Sequence, residues 1–108
     1  KNQVSKFHQL KSDEIWYYHA GGTIELHAIH TDGCYEIIKI GADFEKGDVM
    51  QHVIPAGTIF GACVISGEYS FLGCMVSPGF DFDDFRMISR KELIAQYPDL
   101  KGAIDLLT

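Results

Sequence analysis

The chain has no apolar run approaching the roughly 20 residues that a membrane-spanning helix needs, so no membrane is expected as a partner. It also lacks an excess of positive charge: 9 lysines and arginines against 15 aspartates and glutamates leave a formal net charge of -6. Without a broad positive field to gather phosphates, nucleic acid is excluded as an expected partner. Cysteine is scarce and unpatterned. Cys34, Cys63 and Cys74 are odd in number and show no CxxC spacing, which signals neither a disulfide framework nor a zinc knuckle. Cys63 and Cys74 read as small apolar residues filling strand interiors. The N-terminal residues lack the basic cap, apolar stretch and small-residue cleavage site of a secretory signal, so a reducing, cytoplasmic setting is expected.

What is present is a soluble-type composition, 46% hydrophobic and 22% charged, over 108 residues, which predicts one globular domain spanning 1–108. From Glu14 to Met75 short segments rich in Ile, Val, Tyr and Phe alternate with glycine and show little helical periodicity. Strands are expected over 14–19, 23–30, 35–40, 50–54, 59–66 and 69–76. Ala20-Gly21-Gly22, Thr31-Asp32-Gly33 and Ser66-Gly67-Glu68 carry the residues of tight hairpins, since glycine and aspartate tolerate the positive φ of primed turns. Regular short strands of this kind close into an all-β barrel or sandwich.

After Val76 the character changes. Ser77-Pro78-Gly79 marks a corner, and Asp81, Asp83 and Asp84 alternate with Phe80, Phe82 and Phe85. The acidic run lacks the ordered offsets of a calcium loop and reads as a solvated loop anchored by phenylalanines. Ser89-Arg90-Lys91-Glu92 has the form of a capping box, predicting a helix from Arg90 to about Gln96. Leu100, Ile104, Leu106 and Leu107 predict a terminal helix beyond Pro98.

Two spacings carry the functional reading. His8, Leu10, Glu14 and Gly21 fit a His-x-His, three residues, Glu, six residues, Gly pattern with leucine in place of the second histidine. Pro55-Ala56-Gly57 is followed at the proper intervals by Phe60 and Val64, where the second half of that pattern has His and Asn. These are the two motifs of the cupins. The strings over 7–21, 53–62 and 67–82 closely resemble a cupin family of unknown function. The resemblance implies a double-stranded β-helix, or jelly-roll barrel, with short C-terminal helices and a tendency to pair into homodimers. It also implies a likeness to the metal-free sugar-nucleotide epimerases of the rhamnose pathway, which work through an acid–base pair. With two of four ligand positions lost, no metal or other cofactor is expected. The chain starts after the N-terminal strands usual in the family, so residues lining the pocket, and cover for a sheet edge, are expected to be missing. Seven residues separate Gly47 from Pro55 where the general motif has five, predicting a bulge or longer loop.

If Glu14 points into the barrel, as in metal-binding cupins, strand alternation sends Trp16 and Tyr18 inward too. Pairing across a hairpin with His19 opposite Ile24 would add Glu25 and His27 to the same wall and turn Ile15, Tyr17, Ile24 and Leu26 outward. Phe60, Ala62 and Val64 would form a facing apolar wall, and Gln51 could add a neutral amide. The expected ligand-binding set is His8, Glu14, Trp16, Tyr18, Glu25, His27, Gln51 and Phe60, suited to a small polar organic molecule such as a sugar derivative or amino acid. His27 is either satisfied by Glu25 or a backbone carbonyl, or is a ligand contact and proton carrier. Trp16 and Tyr18 either pack the core or stack on a sugar. The alternative is an epimerase or isomerase in which His27 removes a proton beside a carbonyl and Tyr18 or a carboxylate returns it. A third reading is a metal-dependent cupin that takes its extra ligands from His27 or from the N-terminal stretch usual in the family. His30 and His52 are expected at the surface.

Overall fold

The computed structural model describes residues 4–66, 70–77 and 85–108. Among the described residues eight strands form two facing sheets. They are β1 (Val4–Leu10), β2 (Asp13–Gly21), β3 (Ile24–Ile29), β4 (Tyr35–Ile40), β5 (Gln51–Ile54), β6 (Ile59–Val64), β7 (Ser70–Ser77) and β8 (Phe85–Met87). One sheet has the order β4-β3-β6-β1-β8 and the other β5-β2-β7, with every pairing between these strands antiparallel. This is the jelly-roll arrangement that the family resemblance implied, and it falls within the barrel-or-sandwich class expected from the strand spacing. The six expected strands are present with ends shifted by a residue or two, whereas β1 and β8 were not anticipated. The acidic run at 81–84, the Pro78-Gly79 corner and the Gly67-Glu68 turn lie outside the described residues. No helix among those described is long and apolar enough to cross a membrane.

The packing follows from which face each strand presents. Leu10, Trp16, Ile24, Leu26, Ala28, Ile38, Ile40, Ile54, Phe60 and Ala62 form the core between the sheets. A second cluster on the outer face of the larger sheet joins Phe7, Ile29, Ile59, Cys63 and Ile88 to Leu93, Ile104 and Leu107. The last three come from α1 (Arg90–Gln96), α2 (Lys101–Leu106) and the residue that follows. β6 is covered on both sides, which explains why Ile59 to Cys63 are all buried and the segment is not alternating.

The expected hairpin between β2 and β3 does not form. The Ala20–Thr23 link carries the chain from the smaller sheet to the larger, so β2 pairs with β5 and β7 while β3 pairs with β4 and β6. Ile24, Leu26 and Ala28 therefore face inward, and Glu25 and His27 face outward. This reverses the expected orientation. The Thr31–Gly33 turn is the tight hairpin anticipated: Gly33 adopts φ 88, and the Asp32 carboxylate accepts from Cys34 N–H at 2.9 Å. The additional residues after Gly47 form the longer loop foreseen, with Val49 bridging to Ile40 in parallel.

Candidate functional site

The Pro-x-Gly motif is a turn that aims β6. Thr58 N–H donates to the Pro55 carbonyl at 3.2 Å, and Gly57 takes φ 85, a conformation L side chains rarely adopt. Residues of the first motif clamp this turn. The Leu10 carbonyl accepts from Gly57 N–H at 2.8 Å, the Asp13 carboxylate accepts from Ala56 N–H at 2.7 Å, and the Gln9 amide donates to the Gly57 carbonyl at 2.8 Å. Phe60 is thereby set on the inner face with 1% exposure, its ring edge-on to Trp16 at 6.2 Å and 4.2 Å from the His8 imidazole, measured between centroids.

Opposite stands Glu14, an inward carboxylate on β2 with only 8% exposure. The Trp16 indole N–H donates to it, and no cation pairs with it among the described residues. His8 Nδ1 donates to the Lys6 carbonyl at 2.7 Å, which leaves the lone pair on Nε2. Cys74 lies directly across from Trp16 in the β2–β7 ladder and so also faces inward, yet it is exposed. Burial of its thiol among neighbouring groups, reinforced by the negative charge of Glu14, pushes the pKa up to about 11. Met87, across from His8, is inward and 53% exposed. The inner face is therefore open to solvent beside Glu14.

The metal set of the motif does not fit here. His8 and Glu14 stand at two of its positions, but Leu10, Phe60 and Val64 offer no donor and the Glu14 carboxylate is held by an indole N–H. Three protein ligands is the ordinary minimum for a catalytic site.

Tyr18 is also inward, but its hydroxyl donates to the Gly21 carbonyl at 2.6 Å, at the far end of β2 from Glu14. It borders a cavity of about 690 Å³ whose lining includes Thr23, Lys39, Lys46, Asp48 and Ser66. Asp48, 6% exposed, accepts from the Thr23 hydroxyl at 2.6 Å and from Asp43 N–H at 3.1 Å. Gly41 makes this possible, since a Cβ there would lie 2.5 Å from the Asp48 carboxylate.

The remaining expected residues lie elsewhere. Gln51 is exposed on the outer face of β5, and His52 takes the inward position opposite Trp16. Burial holds the His52 pKa below its usual value, against the pull of Glu36. Glu36 in turn bonds His30 at 2.8 Å, and both His30 and His52 are half-buried and not at the open surface as expected. Glu25 and His27 are on the outer face of β3, where His27 bonds Glu25 at 2.7 Å through Nε2 and the Tyr35 hydroxyl at 2.5 Å through Nδ1. His27 thus neither shares a wall with Tyr18 nor can join His8 and Glu14 around an ion. Sequence reasoning missed Cys74, His52 and Tyr35. Ile54, an apolar residue two positions from His52, was the available signal for the facing of β5.

Two facing antiparallel sheets, a Pro-x-Gly turn and an inward glutamate define a cupin barrel. More narrowly, the chain belongs to the family described as Cupin superfamily (DUF985), whose model matches residues 1–88. Protein SO0799 from Shewanella oneidensis is 41% identical with a TM-score of 0.93, over 97% of this chain and 66% of that one. A hypothetical protein from Leishmania major is 35% identical with a TM-score of 0.92, over 97% and 69%. The uncharacterized protein YML079W of Saccharomyces cerevisiae is 27% identical over 93 residues, which are 82% of this chain and 46% of the yeast protein. The chain thus spans less than half of that relative. Oxalate decarboxylase from Bacillus subtilis, 15% identical with a TM-score of 0.62, shares the fold.

Proposed function

We propose that this protein binds a small polar organic molecule, a sugar derivative or an amino acid, on the inner face of its barrel. Glu14 would accept a hydrogen bond from a hydroxyl or ammonium group of the ligand. The observation that carries this reading is a buried carboxylate with one neutral donor among the described residues, beside an opening to solvent. Burying a charge without a cation is costly, and an ionised carboxylate has about four acceptor positions, of which Trp16 fills one. A ligand donor would supply what the described residues do not, and the rings of Trp16, Phe60 and His8 offer apolar faces for a sugar or aliphatic chain.

Three free cysteines support the cytoplasmic setting. Exposed Ile37, Val49, Met50 and Val53, grouped around the β4 and β5 edges, support a homodimer. The binding test is native mass spectrometry of gently isolated protein, followed by calorimetric titration of wild type and Glu14→Gln with the molecule found. Loss of one charge-assisted bond should weaken affinity roughly 10- to 100-fold. Unchanged affinity in Glu14→Gln with loss in Tyr18→Phe would move the ligand to the cavity at the other end. Absence of any co-purifying molecule, with no saturable binding across a panel of sugars, sugar nucleotides and amino acids, would sink the proposal.

A further inference from the structure

On the face of the larger sheet turned away from the barrel, three metal-ligating side chains meet. Glu25 and His27 are two residues apart on β3 and share a face, and Cys63 is the direct cross-strand neighbour of Glu25 on β6. One donor atom from each lies within 4.8 Å of the other two. We propose that Glu25, His27 and Cys63 form a binding site for a borderline-soft divalent transition ion, zinc in particular, separate from the barrel interior.

The local geometry favours coordination over a plain hydrogen bond in three ways. The Tyr35 hydroxyl meets Nδ1 of His27 at 2.5 Å, which fixes the ring and leaves Nε2 as the coordinating nitrogen. With Nε2 on the ion, Nδ1–H donates to the phenol, the kind of outer support that metal-bound histidines regularly have. Second, His27 sits across from Gly61, which has no side chain to crowd the ring, and β1 passes so close there that a Cβ would fall 2.8 Å from the Ser5 carbonyl. Third, the donor set of thiolate, imidazole and carboxylate selects zinc or cobalt over magnesium or calcium. A tetrahedral ion holds its ligand atoms roughly 3–4 Å apart, a closure that side-chain rotation can supply. His27 and Cys63 are buried, while the Glu25 side chain is 23% exposed and gives the ion and a fourth, water ligand a way in.

The test is titration of the intact chain with Co²⁺, read by the thiolate-to-cobalt charge-transfer absorption, and with Zn²⁺ in competition against a chromophoric chelator. One equivalent with a thiolate band is expected. Cys63→Ser should abolish the band while Cys34→Ser, Cys74→Ser and His8→Gln keep it, and Glu25→Gln should weaken Zn²⁺ binding. Tyr35→Phe, which only frees the ring, should weaken it about 10- to 100-fold. No stoichiometric binding by the unmutated protein, or a band that survives Cys63→Ser, overturns the assignment. Because the first of these uses no variant, a misfolded mutant cannot shield the proposal.

Discussion

Cys74 reports on the one residue that matters most for the barrel interior. Its thiol is held near pKa 11 first by burial and then by the charge of Glu14. Only the thiolate is nucleophilic, so an accessible Cys74 should still alkylate slowly near pH 8. Removing the charge with Glu14→Gln should lower the pKa and speed alkylation of Cys74 while leaving Cys34, on the far hairpin, at its original rate. Mass-resolved labelling with iodoacetamide reads both, and an unchanged Cys74 rate would mean that Glu14 does not face it. The sign for stability follows. The folded state keeps the thiol protonated above its ordinary value of 9.0, so this contribution is complete below about pH 9 and is lost as pH climbs toward 11. At this scale the inward facing of Glu14, Trp16 and Phe60 was legible because strand alternation is rigid, whereas His8 lies on a strand that was not anticipated. The place of Cys74 beside Trp16 was not, since a residue's cross-strand neighbour depends on which strand lies opposite, and that is not written locally; for His52 the local signal was Ile54, two positions on.

Elements show where reading failed and why. The segment Ile24-Glu25-Leu26-His27-Ala28 alternates apolar and polar, and its apolar set Ile24, Leu26 and Ala28 lies inside, although Ile24 and Leu26 were expected to face outward. The inward placement expected of His27 required Ala20–Thr23 to be a hairpin, whereas the same glycines serve equally well in a link between sheets. Turn residues specify a bend and not the pairing of what flanks it. The helical end was more transparent. Ser89 caps α1 by accepting from Glu92 N–H at 3.2 Å, as the capping-box spacing predicts, although the Glu92 carboxylate turns to Arg86 and not back to the cap. Ser89→Ala should therefore cost about 1 kcal/mol. Leu93, with 0% exposure, anchors the helix in the outer cluster, and Leu93→Ala should cost about 2–5 kcal/mol. Urea denaturation orders the two, and a cap loss larger than the core loss would show that α1 is held by its end and not by its buried face.

For the whole molecule the question is what covers the β4–β5 side. β4 is the edge of one sheet and β5 of the other, Val49 two residues before β5 bridges to Ile40 of β4, and Ile37, Val49, Met50 and Val53 are each more than a third exposed. Unpaired strand edges with apolar side chains are surfaces that proteins ordinarily cover. The proposed homodimer would bury them, against the mutual repulsion of two chains each carrying a formal charge of -6. These terms respond oppositely to salt. Apolar burial is insensitive to screening, while repulsion between distant charges fades once the Debye length falls to about 8 Å near 0.15 M. Sedimentation equilibrium should therefore show tighter association as salt rises from about 0.01 M, where the length is about 30 Å. Ile37→Lys together with Val53→Lys should give monomers at every salt concentration. Dissociation by salt would instead identify ion pairs as the adhesive and exclude this apolar edge as the contact, because screening weakens attraction between opposite charges and leaves a hydrophobic seam intact.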